Sequence, residues 1–433
     1  MNAVEKVMLD SASLDEPWAL VASFAIYRHE HPDDVNCGMD EVVSRLRRQG
    51  VEVTVHQPSL CLSLPGAARV EAGGRSFRAK PPACSVDARN GLAGRLVHIG
   101  ANQADDIDTN FDRKLDPTRD VRSRIEGNIV ISVGFASPGM IAQFKELGAI
   151  GVIGINPGID IHRGICTTVW GVPDLDDLPR KPAVVAVAVN RPDGDALIEI
   201  ANAGVGVTIF PEMEEGWFDS KLPEVFIPGS EEPEKYVLLH GHLDSWDVGV
   251  GDNATGDATL MECARILWAH RDNPLRDIRL YAPCVARTAN TGILPFDWRA
   301  AADEFLTTIA RYQETAGDRF DLTPLRQAAE TLKAALEDFH AGIAAGTVAP
   351  AAANAAIPDL ARILVPINFT CEPSFRHDPA LSIPPLPTIS VATELHLHPG
   401  EKPGFARNHL MRGQNRLISA LNQARRRVAQ AMG

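Results

Sequence analysis

Cysteine is scarce in this chain, with seven among 433 residues, at positions 37, 61, 84, 166, 263, 284 and 371. Their number is odd and no two form a C-x-x-C pair, so neither a disulfide framework nor a paired-thiolate zinc site is indicated and a reducing compartment fits best. Long apolar runs are missing as well: nowhere do eighteen apolar residues stand together. The opening stretch, MNAVEKVMLDSASLDEPW, carries acidic residues and no apolar h-region, so the expected location is the cytoplasm. Positive charge is in deficit, with 42 Lys and Arg against 56 Asp and Glu and a formal charge of −14. That field repels phosphate backbones and anionic lipid, so no nucleic-acid partner and no membrane partner are expected. No G-x-S-x-G elbow is present, no P-loop, and no G-x-G-x-x-G opening a helix, so serine-hydrolase, nucleotide-hydrolase and dinucleotide readings drop out.

What is present is enough for a folded chain of several parts. Hydrophobic residues make up 45% and charged residues 23%, an ordinary globular balance. A prior of about 100–200 residues per domain gives two to four folding units. An apolar run from Trp18 to Tyr27, a helix from Met39 to Gln49 ended by Gly50, and an alternating strand from Val51 to Val55 open the chain. After Pro58 short apolar runs alternate with Gly and Pro. Within this stretch residues 128–133 read as a buried strand, Ser137 as the cap of a helix with Pro138 at its first position, and residues 150–155 as a second strand after a stop at Gly148. From Asp297 onward helices dominate: Trp298 to Tyr312, Leu322 to Phe339, an alanine-rich linker near Ala341 to Ala356, and a terminal helix. In that last helix Leu410, Leu417, Leu421, Ala424 and Val428 recur at helical spacing, leaving Arg425, Arg426 and Arg427 on its solvated face.

The chemistry concentrates in YVLLHGHLDSWDVGVGDNATGDATLMECARIL, from Tyr236 to Leu267. It reads as a buried strand, a polar glycine-rich loop and a helix carrying Ala258, Met261, Ala264, Arg265 and Leu267, which places the polar residues at the carboxyl edge of a sheet. A second strand, Ile278 to Tyr281, follows. His242 and Asp244 stand two apart and Asp252 follows ten residues after the histidine. Imidazole and carboxylate are donors that zinc accepts, and a second carboxylate commonly orients the histidine through its other ring nitrogen. On that reading His242 is a metal ligand, Asp244 its orienter and Asp252 a carboxylate bridging two metals. The competing reading of the same residues is a strand-end histidine held by structural hydrogen bonds. Glu262 on the following helix reads as an ion-pair partner for a neighbouring arginine. Cys284 is the nearest soft donor, with a buried inert thiol as its plainer role. Glu394, His396 and His398 alternate in TELHLH, which on a strand would share one face.

HGHLDSW followed by GDNATG resembles the signature of the zinc-dependent aminopeptidase family that includes glutamate carboxypeptidase and the transferrin receptor. The stretch GFASPGMIAQFKELGAIGVIGIN with PAVVAVAVNRPDGDALIEIANAGVGVTI resembles the protease-associated domain inserted in several peptidases. These resemblances imply an α/β fold: a three-layer αβα zinc-peptidase-like core, here incomplete, with an inserted β-rich protease-associated domain and a C-terminal helical domain that mediates dimerisation. The expected divisions are 1–65 and 226–299 for the peptidase-like core, 66–225 for the inserted domain and 300–433 for the helical domain. An intact relative would hold two zinc ions and hydrolyse peptide bonds as an aminopeptidase or carboxypeptidase, with a glutamate activating the bridging water. In the family, paired glutamates follow the next strand, one the general base and the other a zinc ligand. Here Ile278 to Leu280 runs into YAPCVARTANTGILPFD, and EE occurs only at Glu214–Glu215 and Glu231–Glu232, in polar turn regions ahead of the histidine motif. The strand and the late helix look joined directly, as though part of the catalytic domain were absent. The resemblance therefore implies a metallopeptidase-like homodimer with a peptide or peptide-like substrate and impaired activity. The alternative it leaves open is a non-catalytic binding or assembly protein of the same fold.

Overall fold

The computed structural model describes residues 10–100, 121–169, 171–181, 184–228, 236–270, 291–397 and 402–433. Two compact units divide the chain, Met1–Asn290 with Pro379–Leu381, and Thr291–Asp378 with Ser382–Gly433. The first unit opens with helices α1 (Asp15–Phe24) and α2 (Pro32–Arg48). The second of these starts well before Met39, because His31 caps it by accepting from the Asp33 amide at 3.2 Å and Pro32 sits at its first position. Strand β1 is short, Thr54–His56.

A β-rich body follows, built from β2 (Ser59–Ala72), β3 (Arg75–Ala79), β4 (Leu92–His98), a helical turn α3 (Arg122–Ile125), β5 (Ile129–Val133), α4 (Pro138–Glu146), β6 (Gly151–Ile155), β7 (Val185–Val189), α5 (Arg191–Asn202) and β8 (Gly206–Asp219). Ser137 caps α4 by accepting from the Met140 amide at 3.4 Å, as its place before Pro138 implies. The strands form one seven-stranded mixed sheet in the order β3-β2-β8-β4-β5-β6-β7, with β4 to β7 parallel and the rest antiparallel. Its two outer strands are joined beyond the end of β3, where Lys80 and Ala188 exchange backbone hydrogen bonds of 3.0 and 2.8 Å. That bridge covers edges that would otherwise offer unpaired donors and acceptors. Alternation along β5 and β6 sorts the side chains. Ile129, Ile131, Ile153 and Ile155 fill one core with Leu197 of α5, and Val130 and Val152 fill the other with Met140, Ile141 and Phe144 of α4.

Strand β9 (Leu222–Glu224) returns to pair with β1, and the first unit's last described helix is α6 (Thr255–Ala269). Helices α1, α2 and α6 share a core of Leu20, Val21, Phe24, Leu46, Ala258 and Met261. Two expectations are corrected here. Tyr236 to His240 belongs to no strand: among the described residues it has no ladder partner, and Tyr236 and Leu238 are 74% and 72% exposed. The only described sheet pairing outside the β-rich body is the two-stranded β1–β9 ladder, so the described residues within 1–65 and 226–299, the stretches expected to form the peptidase-like core, assemble no three-layer αβα arrangement of their own. The expected strand Ile278 to Tyr281 lies outside the described residues, as do Cys284, Glu231, Glu232 and His398.

The second unit is helical: α7 (Arg299–Ala316), α8 (Thr323–Ala344), α9 (Pro350–Asn368) and α10 (Lys402–Met432). Of the expected alanine-rich linker, Ala341–Ala344 ends α8 and Pro350–Ala356 begins α9. Alanine is the best helix former, and Pro350 at the first position makes a favourable start. TELHLH is corrected too, since Pro387–Leu397 is a 3-10 helix and Glu394 and His396 are exposed on it rather than aligned on a strand. The α10 face reads as expected, with Leu410, Leu417, Leu421, Ala424 and Val428 buried. Arg425 and Arg426 are solvated, whereas Arg427 pairs with Asp359 at 2.7 Å. No helix among the described residues is long and apolar enough to cross a membrane.

Candidate functional site

The site is built around one buried leucine. Leu243 is 4% exposed and sits in the core shared by α1, α2 and α6. Neighbouring side chains on extended backbone point to opposite faces, so anchoring Leu243 inward turns His242 and Asp244 outward together. The imidazole is then held on both edges. Its Nδ1 lies 3.1 Å from the Asp244 carbonyl and 3.4 Å from the Asp244 carboxylate, and its Nε2 lies 3.1 Å from Oδ1 of Asp252. The three residues that the sequence singles out are thus brought together.

Asp252 reaches the ring because the loop before α6 turns sharply. Gly249 sits at φ +67°, open to glycine at little cost, and the Ala254 amide bonds back to its carbonyl at 2.9 Å. Gly256 is also needed: a Cβ there would run into the side chain of Asn253, which donates to the His242 carbonyl at 3.2 Å. From the opposite side residues 28–30 clamp the loop. The His29 amide donates to the Asp247 carbonyl at 3.1 Å, the Ser245 amide to the His29 carbonyl at 2.8 Å, and His29 Nδ1 lies 3.2 Å from the Val248 carbonyl. Burial of that histidine among Phe24 and Tyr27 lowers its pKa.

Do these donors fit a zinc ion? Tetrahedral zinc with arms of about 2.0–2.2 Å sets neighbouring donor atoms roughly 3.3–3.6 Å apart. The His242–Asp252 separation of 3.1 Å is close to that edge, and Asp244 stands where an orienting carboxylate belongs. The set stops there. Catalytic zinc takes about three protein donors plus water. Among the described residues no group of three or more His, Cys, Asp or Glu side chains is arranged to hold a metal. His242, Asp244 and Asp252 are 54%, 75% and 77% exposed, so as plain ion pairs they contribute little. The residues match one edge of a zinc site and do not complete it.

Three further residues meet this site without having been singled out in the sequence. Asp257, in the first turn of α6, has its carboxyl pushed up to about 7, chiefly by burial, with His242 opposing and Asp244 adding to the shift. Its Oδ2 has no hydrogen-bond partner. His162 comes from the loop after β6 and meets Trp246 edge-on at 4.2 Å. Burial, reinforced by nearby Lys80 and opposed by Asp252, lowers its pKa, and its Nδ1 is buried without a partner. Lys80 lies just beyond β3. Together Lys80, His162, Trp246 and Asp252 line a cavity of about 280 Å³. The signal for His162 was available: IDIHRG follows the second strand of a β-α-β unit, at the carboxyl edge where such sheets bind ligands. Glu262 holds Arg265 at 2.7 Å, as its sequence setting implied. Glu214 and Glu215 are exposed on β8, and Glu215 pairs with Lys181.

Residues 225–283 match the family model described as Peptidase family M28, and this stretch contains all three site residues. Over that stretch the chain resembles the M28 peptidases. It is 25% identical to Carboxypeptidase Q of Pongo abelii over 183 residues, 40% of this chain and 38% of that protein. It is 43% identical to Transferrin receptor protein 1 of Gallus gallus over 51 residues, 11% of this chain and 7% of that protein. Among solved structures it is similar to an aminopeptidase from Aneurinibacillus sp. strain AM-1, with TM-score 0.43, 16% identity and 61% of each chain covered. A second is a peptidase M28 precursor from Shewanella amazonensis SB2B, with TM-score 0.43, 18% identity and 63% of each chain covered. The match to the Pongo abelii Carboxypeptidase Q spans 38% of its length, well under two thirds.

Proposed function

We propose that this chain is a zinc metallopeptidase-like protein of the exopeptidase type, acting on peptides or small peptide-like molecules, with hydrolysis impaired by an incomplete donor set. One observation carries the reading: within the M28-matching segment, His242 presents Nε2 to Asp252 at 3.1 Å while Asp244 faces Nδ1. Zinc, when bound, supplies Lewis-acid chemistry. His242 and Asp252 are the residues that would hold it, and Asp244 keeps the ring turned toward it. The described donors number two, one short of the three that catalytic zinc takes from protein. The β-rich body from Ser59 to Asp219 is assigned as the protease-associated insert, and the helical unit as a homodimerisation element; exposed Phe369, Phe405 and Met411 support the second assignment.

The same shortage favours a second reading, a non-catalytic binding protein of this fold. The two are separated by assaying release of terminal amino acids from a panel of peptides, with zinc added or chelated. The enzymatic reading expects slow, zinc-dependent release that Asp252→Asn abolishes. No release from zinc-loaded protein leaves the binding reading.

A further inference from the structure

Two cysteines that stand far apart in the sequence meet inside the β-rich body. Residues 82–85 form a tight turn between β3 and β4, closed by the Ser85 amide on the Pro82 carbonyl at 3.2 Å. The third residue of that turn is Cys84, at φ +65°, a left-handed position that glycine takes at little cost and cysteine does not. Ala83 before it bridges in parallel to Ile165, in the loop after β6. The Ala83 amide donates to the Gly164 carbonyl at 3.0 Å, and the Ala83 carbonyl accepts from the Cys166 amide at 2.9 Å. Cys84 and Cys166 therefore each stand one step beyond a bridged residue.

That register sets their Cα atoms on the order of 5 Å apart, within the roughly 4.4–6.8 Å that a disulfide spans. Their side chains also share a core. Cys166 is 1% exposed and packs with Met140 and Phe144 of α4, and half-buried Cys84 packs against the same cluster. The Cys166 thiol reaches toward the turn, donating to the Ala83 carbonyl at 3.2 Å. Ser63 Oγ pins the turn from the other side by accepting from the Cys84 amide at 3.0 Å. Both thiols are free, and burial pushes that of Cys84 up to about 11 and raises that of Cys166, with Cys84 adding to the second shift. Both therefore stay protonated and react slowly at neutral pH.

We propose that Cys84 and Cys166 are a redox pair that closes into a disulfide when a small-molecule disulfide such as oxidised glutathione supplies the oxidising equivalents. Cys84, the more accessible, attacks one sulfur of the oxidant as its thiolate, and a first small thiolate leaves. Cys166, as its thiolate, then attacks the Cys84 sulfur of the mixed disulfide and displaces the second. The two cysteine protons end on the two leaving thiolates, so two protein thiols are oxidised and one oxidant molecule is reduced to two thiols. The bond staples the turn that follows Lys80 to the loop carrying His162 and Arg163, two walls of the cavity beside Asp252.

The full chain, incubated with oxidised glutathione at mildly alkaline pH, alkylated, digested without reduction and mapped by mass spectrometry, tests this. The expected product carries an intrachain bond between Cys84 and Cys166. It melts several degrees above the reduced chain and returns to the starting value on reduction with dithiothreitol. Cys84→Ser and Cys84→Gly, the second suited to the left-handed turn, lose both the bond and the oxidative rise, and Cys61→Ser keeps both. Cys84 and Cys166 recovered unbridged while exposed Cys37 and Cys371 are modified, a bond from Cys84 to Cys61 instead, or a rise that persists in Cys84→Gly overturns the pair. A mapped bond that brings no rise overturns the staple.

Discussion

Two stretches of the first unit carry similar apolar strings and meet different fates. In the β-rich body, IVISV and GVIGI become parallel neighbours, Ile131 opposite Ile153, with every residue but Val133 buried. In the motif segment YVLLH is just as apolar, yet it stays unpaired among the described residues and leaves Leu238 exposed. Strand formation depends on a partner, and apolar content alone does not supply one. The body has its partners within a local β-α-β unit and closes its own edge through Lys80 and Ala188. The motif segment is organised instead by one side chain, Leu243, and by the loop that brings Asp252 to the ring.

The largest expected effect comes from the body. Ile131→Ala empties a site with no exposure and should lower unfolding free energy by roughly 3–5 kcal/mol in denaturant titration. Leu243→Ala should cost somewhat less, roughly 2–3 kcal/mol, because its core is smaller. It should also release His242 and Asp244 from their common orientation, visible as a changed His242 proton shift by NMR.

A smaller effect attaches to Asp257. Its carboxyl titrates near 7 in the folded chain against 3.8 ordinarily, so between those values the folded state holds more proton than the unfolded one. Its contribution is therefore complete below pH 3.8, falls as pH rises, and is lost above about 7. Asp257→Asn should flatten that slope and stabilise the chain above pH 7 by on the order of 1–2 kcal/mol, a figure reduced because water still reaches part of the carboxyl. Melting curves from pH 4 to 8 are the check; an unchanged slope means the group is solvated. The smallest effect is Leu238→Ala, within about 0.5 kcal/mol of the parent by the same denaturant titration. A loss comparable to that of Ile131→Ala would mean that YVLLH is buried after all.

What the sequence made legible was local. Ser137 before Pro138, the alternation across residues 128–133, and the apolar stripe of α10 each fix an element through neighbours within a few residues. His242, Asp244 and Asp252 were legible for the same reason, since one loop joins them. Contacts made at long range were not. The strand expected at Tyr236 needed a partner that no local pattern guarantees. Much of the presumed linker from Ala341 to Ala356 became helix through propensity and a favourable first proline. Lys80 and His162 reach the site only because the sheet closes and the loop after β6 meets Trp246, more than eighty residues further along. Asp257 is set apart by burial, which its acidic first-turn position does not reveal.

We propose that His242 and Asp252 converge as donors to one divalent ion. Zinc binding to the purified chain by equilibrium dialysis, compared with His242→Ala and Asp252→Asn, tests it most directly. Saturable binding that falls at least about tenfold in each variant is the expected result, since each removes one of the described donors. Zinc binding unchanged in both variants, or absent from the parent chain, would contradict it.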